Sequence, residues 1–135
     1  MDDLQKSEVV IAKILNQLAE LGLQSCELKF DELKLDDTFK PFFFVCSEWL
    51  VDEGIIRCKS ITKYTGQNGG VDGFLNTPVI TSYGFALLRQ EFFGAKGSGN
   101  LSEAIKDVAD GTKGYSQIGD FVGGILGGFT KSISS

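Results

Sequence analysis

The order of residues 39–80 constrains this chain most. An aromatic-rich helical run stops at a glycine, and two β-branched runs joined by a glycine-rich tip follow directly. FKPFFFVCSEWLVDEG (39–54) predicts a helix that opens near Pro41, where a missing N–H costs nothing, and stops at Gly54. IIRCKSITKY (55–64) and FLNTPVI (74–80) then predict a hairpin, with QNGGVDG (67–73) at its tip. A helix that hands the chain straight to a hairpin narrows the fold. Both elements must bury an apolar face against each other or against flanking helices.

The flanks supply those helices. Val10, Ile11, Ile14, Leu15, Leu18 and Leu21 fall at helical spacing, so a first helix is expected over residues 4–21, with Gly22 as its left-handed stop. Residues 26–37 fit either a short helix or a strand, because Leu28, Phe30, Leu33 and Leu35 satisfy parts of both periods. A closing helix is expected over 81–93, capped by Thr81 or Ser82, with Phe85, Leu88 and Phe92 on one face. Gly84 in its first turn weakens that helix by roughly 1 kcal/mol against alanine, which close approach to another backbone would explain. At 100° per residue, Phe42, Phe43, Val45, Cys46, Trp49 and Leu50 predict the core face of the 39–54 helix. Phe44 and Val51 fall on the opposite side, beside Ser47 and Glu48.

The last 42 residues change character. They hold 10 of the 17 glycines, so they are read apart from residues 1–93, as a linker and two helical segments (94–135). In the second segment, Ile118, Phe121, Val122, Ile125, Leu126, Phe129 and Ile133 form a helical stripe, interleaved with GxxxG steps at Gly119, Gly123 and Gly127. Five interior glycines cost such a helix roughly 4–5 kcal/mol of propensity, so it needs a surface to form on. Gly119, Phe121, Gly123, Ile125, Gly127 and Phe129 are therefore the expected packing residues, against the core or a second copy. A membrane role is not expected. Asp120 interrupts a stretch too short to span, and the polar side lacks the Lys and Arg of surface-seeking helices.

Charge and composition exclude several functions. Residues 1–56 carry 12 acids and 5 bases, a net −7, whereas residues 57–135 carry 6 acids and 8 bases, a net +2. The acidic half repels phosphate and attracts basic proteins. The chain has no His, which removes the commonest general base and metal ligand, and its glycine clusters lack the lysine and context of a phosphate loop. No enzyme, cofactor or metal is expected. The three cysteines (Cys26, Cys46, Cys58) have no metal-like spacing and read as reduced thiols. MDDLQKSE has no export pattern, so a cytoplasmic location is expected.

Residues 4–93 resemble the winged helix-turn-helix superfamily. The resemblance is carried by Trp49-Leu50, by Gly54-Ile55-Ile56 at the helix-to-strand corner, and by Pro78-Val79-Ile80-Thr81 with Gly84 and Leu87-Leu88 at entry to the last helix. It implies an α+β, mainly helical fold of three helices, a hairpin wing and a closing helix, here with a glycine-rich C-terminal extension. The superfamily includes DNA-binding regulators and members that bind only proteins. In the helix that would enter a DNA groove, only Lys40 is basic, against Glu48, Asp52 and Glu53. A nucleic-acid surface would have to rest on Lys40, Arg57, Lys59 and Lys63, a small footprint for duplex binding. The preferred expectation is a protein-binding module, a small acidic inhibitor, immunity protein or antitoxin of bacterial or phage type that meets a basic partner. Its contact residues would be Phe44, Ser47, Glu48, Val51 and Asp52, with Asp31, Asp36 and Asp37 around them. A winged-helix transcriptional regulator is the alternative.

Overall fold

The computed structural model describes residues 3–67 and 69–89. They form a mixed fold of three α-helices and small antiparallel sheets. The glycine-rich C-terminal segments, their packing residues 119–129, and Phe92 lie outside the described residues.

Helix α1 spans Asp3–Leu21 and carries the core stripe. Val10, Ile11, Ile14, Leu15 and Leu18 are buried as expected, and Val9 and Ala12 widen the stripe because α1 is covered on more than one side. It packs against α2, the 3-10 turns and β5. Gly22 ends it at φ +66°, donating its N–H to the Leu18 carbonyl at 3.0 Å.

Both readings of residues 26–37 are realised in succession. Strand β1 (Glu27–Leu28) is followed by a 3-10 turn (Phe30–Leu33) whose Phe30 and Leu33 point into the core. Lys34 stops the turn in the left-handed region at φ +56°.

The aromatic helix differs from expectation in extent and phase. A 3-10 segment, Asp37–Phe42, contains Pro41, and α2 proper runs Phe43–Asp52. Proline cannot donate an N–H, which is consistent with α-type bonding only after it. The buried stripe of α2 is Phe43, Cys46, Ser47 and Leu50, at i, i+3, i+4 and i+7. Val45, expected in the core, is 65% exposed. Ser47, expected on the surface, is fully buried. Its hydroxyl donates to the Phe43 carbonyl at 2.7 Å, so the small side chain satisfies itself within the helix and packs like an apolar residue. Phe42, Phe44, Trp49 and Val51 are all half-buried against the core.

The expected hairpin is split into two ladders. Strands β3 (Ser60–Thr65) and β4 (Val71–Asn76) pair from Ser60↔Asn76 to Thr65↔Val71, and β1 joins the far edge of β4, giving the order β1-β4-β3. The tip is therefore residues 66–70, and the return strand starts earlier than the sequence suggested. Strands β2 (Ile56–Arg57) and β5 (Val79–Ile80) form a separate pair. The break falls at Thr77-Pro78, where Thr77 adopts φ +49° and proline offers no N–H to a ladder.

Helix α3 (Ser82–Arg89) closes the described chain. Thr81 caps it: its hydroxyl accepts from the Gly84 N–H at 2.9 Å and donates to the Gly54 carbonyl at 2.6 Å. The Thr81 N–H donates to the Ile55 carbonyl at 3.0 Å. A Cβ on Gly84 would strike that same Ile55 carbonyl and come within 2.7 Å of Ile80 Cγ2, so the glycine is there for backbone contact. Among the described residues, no helix is long and apolar enough to cross a membrane.

Candidate functional site

A concavity lies between the start of α2 and the β3–β4 hairpin, and an aromatic chain builds its floor. Phe30 meets Phe43 edge-on at 6.0 Å, and Phe43 meets Phe44 edge-on at 5.0 Å. From β3, Lys63 places its ammonium 5.6 Å from the Phe44 ring centre and forms an ion pair with Glu48 of α2. From the 3-10 segment, Lys40 pairs with Asp72 of β4 at 2.6 Å. Two ion pairs thus tie the hairpin to the helical side. Gly73 sets the register between them: at φ +144° it lies against the Thr62 carbonyl, where a Cβ has no room, and it is paired with Lys63.

These elements enclose a groove of about 610 Å³ whose apolar lining is Pro41, Phe44, Val45 and Val71. A smaller recess of about 190 Å³ shares Lys40, Phe44 and Val71 with it and adds Asp31 and Tyr64. Val45, Val71 (55% exposed) and Tyr64 (54% exposed) present this lining to solvent. The charges around it are unequal in their commitments. The lysines of the groove, Lys40 and Lys63, already hold carboxylates. Lys40 stays protonated above its ordinary range, chiefly through its hydrogen bond to Asp72, with Asp37 and Asp31 adding to the field. Asp31 and Asp37 are exposed and form no ion pair among the described residues; against Lys29, the exposed base of the recess, they leave the rim net acidic.

The expected contact residues are only partly assembled here. Phe44, Asp31 and Asp37 line the groove or its recess, and Glu48 reaches it only through its ion pair with Lys63. Asp36 is exposed but already occupied: it caps the 3-10 segment by accepting the Thr38 N–H at 3.0 Å and the Thr38 hydroxyl, which together hold its carboxyl below the usual range. Val51 packs on the core and Asp52 lies exposed at the end of α2, neither of them lining the groove. Ser47 is buried and offers no surface contact. Of the bases, Arg57 and Lys59 line a different cleft from Lys40 and Lys63, because the break after β2 separates them from β3. Sequence reasoning missed Pro41, Val45, Tyr64 and Val71 as groove residues. Val71 carried a usable signal, a β-branched residue flanked by the tip glycines with a charge after it. Val45 carried none, since apolar residues surround it on both sides.

The groove offers apolar surface, the Phe44 ring, the Asp37 carboxylate and two lysines already paired with carboxylates. No family model matches the chain, and no curated protein or solved structure matches it either.

Proposed function

We propose that residues 3–89 form a winged-helix-like, non-enzymatic protein-binding module, a small acidic inhibitor or immunity-type protein that receives a basic protein partner in the α2–hairpin groove. The element order supports the winged-helix reading: helix, short strand, helix, hairpin, closing helix, with β1 added to the return strand. One observation carries the functional reading. The face that would need free lysines to meet phosphate instead exposes Val45, Val71 and Tyr64, the two groove lysines Lys40 and Lys63 are paired with carboxylates, and only Lys29, at the recess, is an exposed base there without an ion pair among the described residues. An apolar centre with an acidic rim is a surface for a protein carrying Lys or Arg around an apolar anchor.

The test compares the full chain with its Val45→Asp/Val71→Asp variant as bait in native cytosol. A basic protein retained by the wild type and lost by the variant, with unchanged circular-dichroism melting, is expected. Retention on heparin and a shift of duplex fragments at low salt, both abolished by Arg57→Glu/Lys59→Glu, would instead return the nucleic-acid regulator.

A further inference from the structure

Two of the bases that form no ion pair among the described residues share a second cleft. Arg57 and Lys59 are exposed and have no ion pair among the described residues. They line a cleft of about 370 Å³ together with Leu23, Cys58, Thr77 and Val79. Leu23, two residues past α1, is 72% exposed, more than any other large apolar residue described. Val79 is almost fully buried. Thr77 holds the left-handed conformation at φ +49°, pinned by donating its N–H to the Cys26 carbonyl at 2.7 Å. A non-glycine residue kept in that region costs free energy, and such positions concentrate where a surface is shaped for use.

We propose that this cleft is a second docking surface, for an acidic segment of another protein that carries an aliphatic or aromatic side chain. The carboxylates of such a segment meet Arg57, whose planar fork suits bidentate carboxylate binding, and Lys59. The apolar side chain packs on Leu23 and Val79. Charge decides against two other occupants. A nucleic acid would find two cations in this cleft, on a chain of net charge −5, and phosphate makes no use of Leu23. Among the described residues, the acidic stretch a second copy would offer is chiefly 27–37, where Leu28, Phe30 and Leu33 are buried and Leu35 packs on the core, so that stretch presents acids with little apolar anchor. The inference stands apart from the groove, because the two cavities share no lining residue.

Fluorescence anisotropy on the full chain at low salt tests it. The probes are a short labelled peptide of glutamates interrupted by leucines, an all-glutamate peptide of the same length, and a short DNA duplex. The leucine-containing peptide is expected to bind at least about tenfold more tightly than either other probe. Arg57→Glu/Lys59→Glu should lower that affinity by more than about tenfold, Leu23→Ser should reduce it toward the all-glutamate value, and Val45→Asp/Val71→Asp should leave it unchanged. Should the charge-reversal variant fail to fold, Leu23→Ser, on a largely exposed side chain, decides alone. Equal binding of the two peptides, tighter binding of the duplex, no binding, or indifference to Leu23→Ser each overturns the proposal.

Discussion

An alanine at position 84 would be a better helix former than the glycine there, by about 1 kcal/mol on propensity alone. The structure reverses that sign. Its Cβ would have to displace the Ile55 carbonyl, which is backbone and held by the Thr81 N–H. Gly84→Ala is therefore expected to destabilise the protein by about 2–3 kcal/mol in urea denaturation; a stabilised variant would show that the α3–Ile55 contact is looser than described. Cys46 makes a second prediction at this scale. Burial pushes its thiol up to about 11, with only a smaller lowering from the Ser7 side chain; its Sγ donates to the Ser7 carbonyl at 3.5 Å. A raised thiol keeps its stabilising neutral form below the unfolded value near 9 and loses it as pH climbs through the folded value. Unfolding free energy should thus fall between pH 9 and about 11 by about 2–3 kcal/mol from this group, and Cys46→Ala should flatten that slope. At pH 8, a thiol reagent should leave Cys46 unmodified until denaturant is added. Gly84 was legible in the sequence as a cost needing a reason. Ser47 was not: a serine that closes on its own helix reads as polar by composition and behaves as core.

At the scale of elements, the helices were more legible than the strands. Apolar period alone places α1 to within a residue of its observed ends, because its stripe is long and its stop is a glycine. The 39–54 run was read as one α-helix, and it is a 3-10 segment joined to a shorter α-helix at Phe43. That change of pitch moves every later side chain around the axis, which helps explain how Val45 came to be read as core. The hairpin was legible in existence but not in register. The ladder break depends on a left-handed Thr77, and nothing in a threonine announces that conformation. Gly73 is the element-level test. Gly73→Ala sets a Cβ against the Thr62 carbonyl in a backbone region that side chains rarely adopt. The variant is expected to lose protection of the β3–β4 amides in hydrogen exchange while α1 amides remain protected, and to lose the Lys63–Glu48 contact with the register. Uniform loss of protection would mean that the hairpin and the helices unfold as one unit.

For the molecule as a whole, the groove should be dispensable for stability. Val45 and Val71 are both more than half exposed, so Val45→Asp/Val71→Asp is expected to change the unfolding free energy by no more than about 0.5 kcal/mol per site. A large loss would assign those side chains to the core and remove the functional reading with them. The two cavities also differ in the charge beside them: Asp31 and Asp37 lie at the α2 groove and its recess, and Arg57 and Lys59 line the Leu23 cleft. The corner at Ile55 governs how such a molecule can yield. The Ile55 N–H is held by the Leu50 carbonyl at 3.0 Å, its own carbonyl receives Thr81, and Gly84 lies against it. The end of α2, the β2–β5 pair and the start of α3 are therefore joined at a single rigid node. The hairpin on the other side of the groove is anchored at its base by Leu75 in the core and by pairing with β1, whereas toward its tip two solvent-exposed ion pairs tie it across the groove. Salt weakens such pairs, so added salt is expected to loosen the tip side of the groove and leave the Ile55 node unchanged.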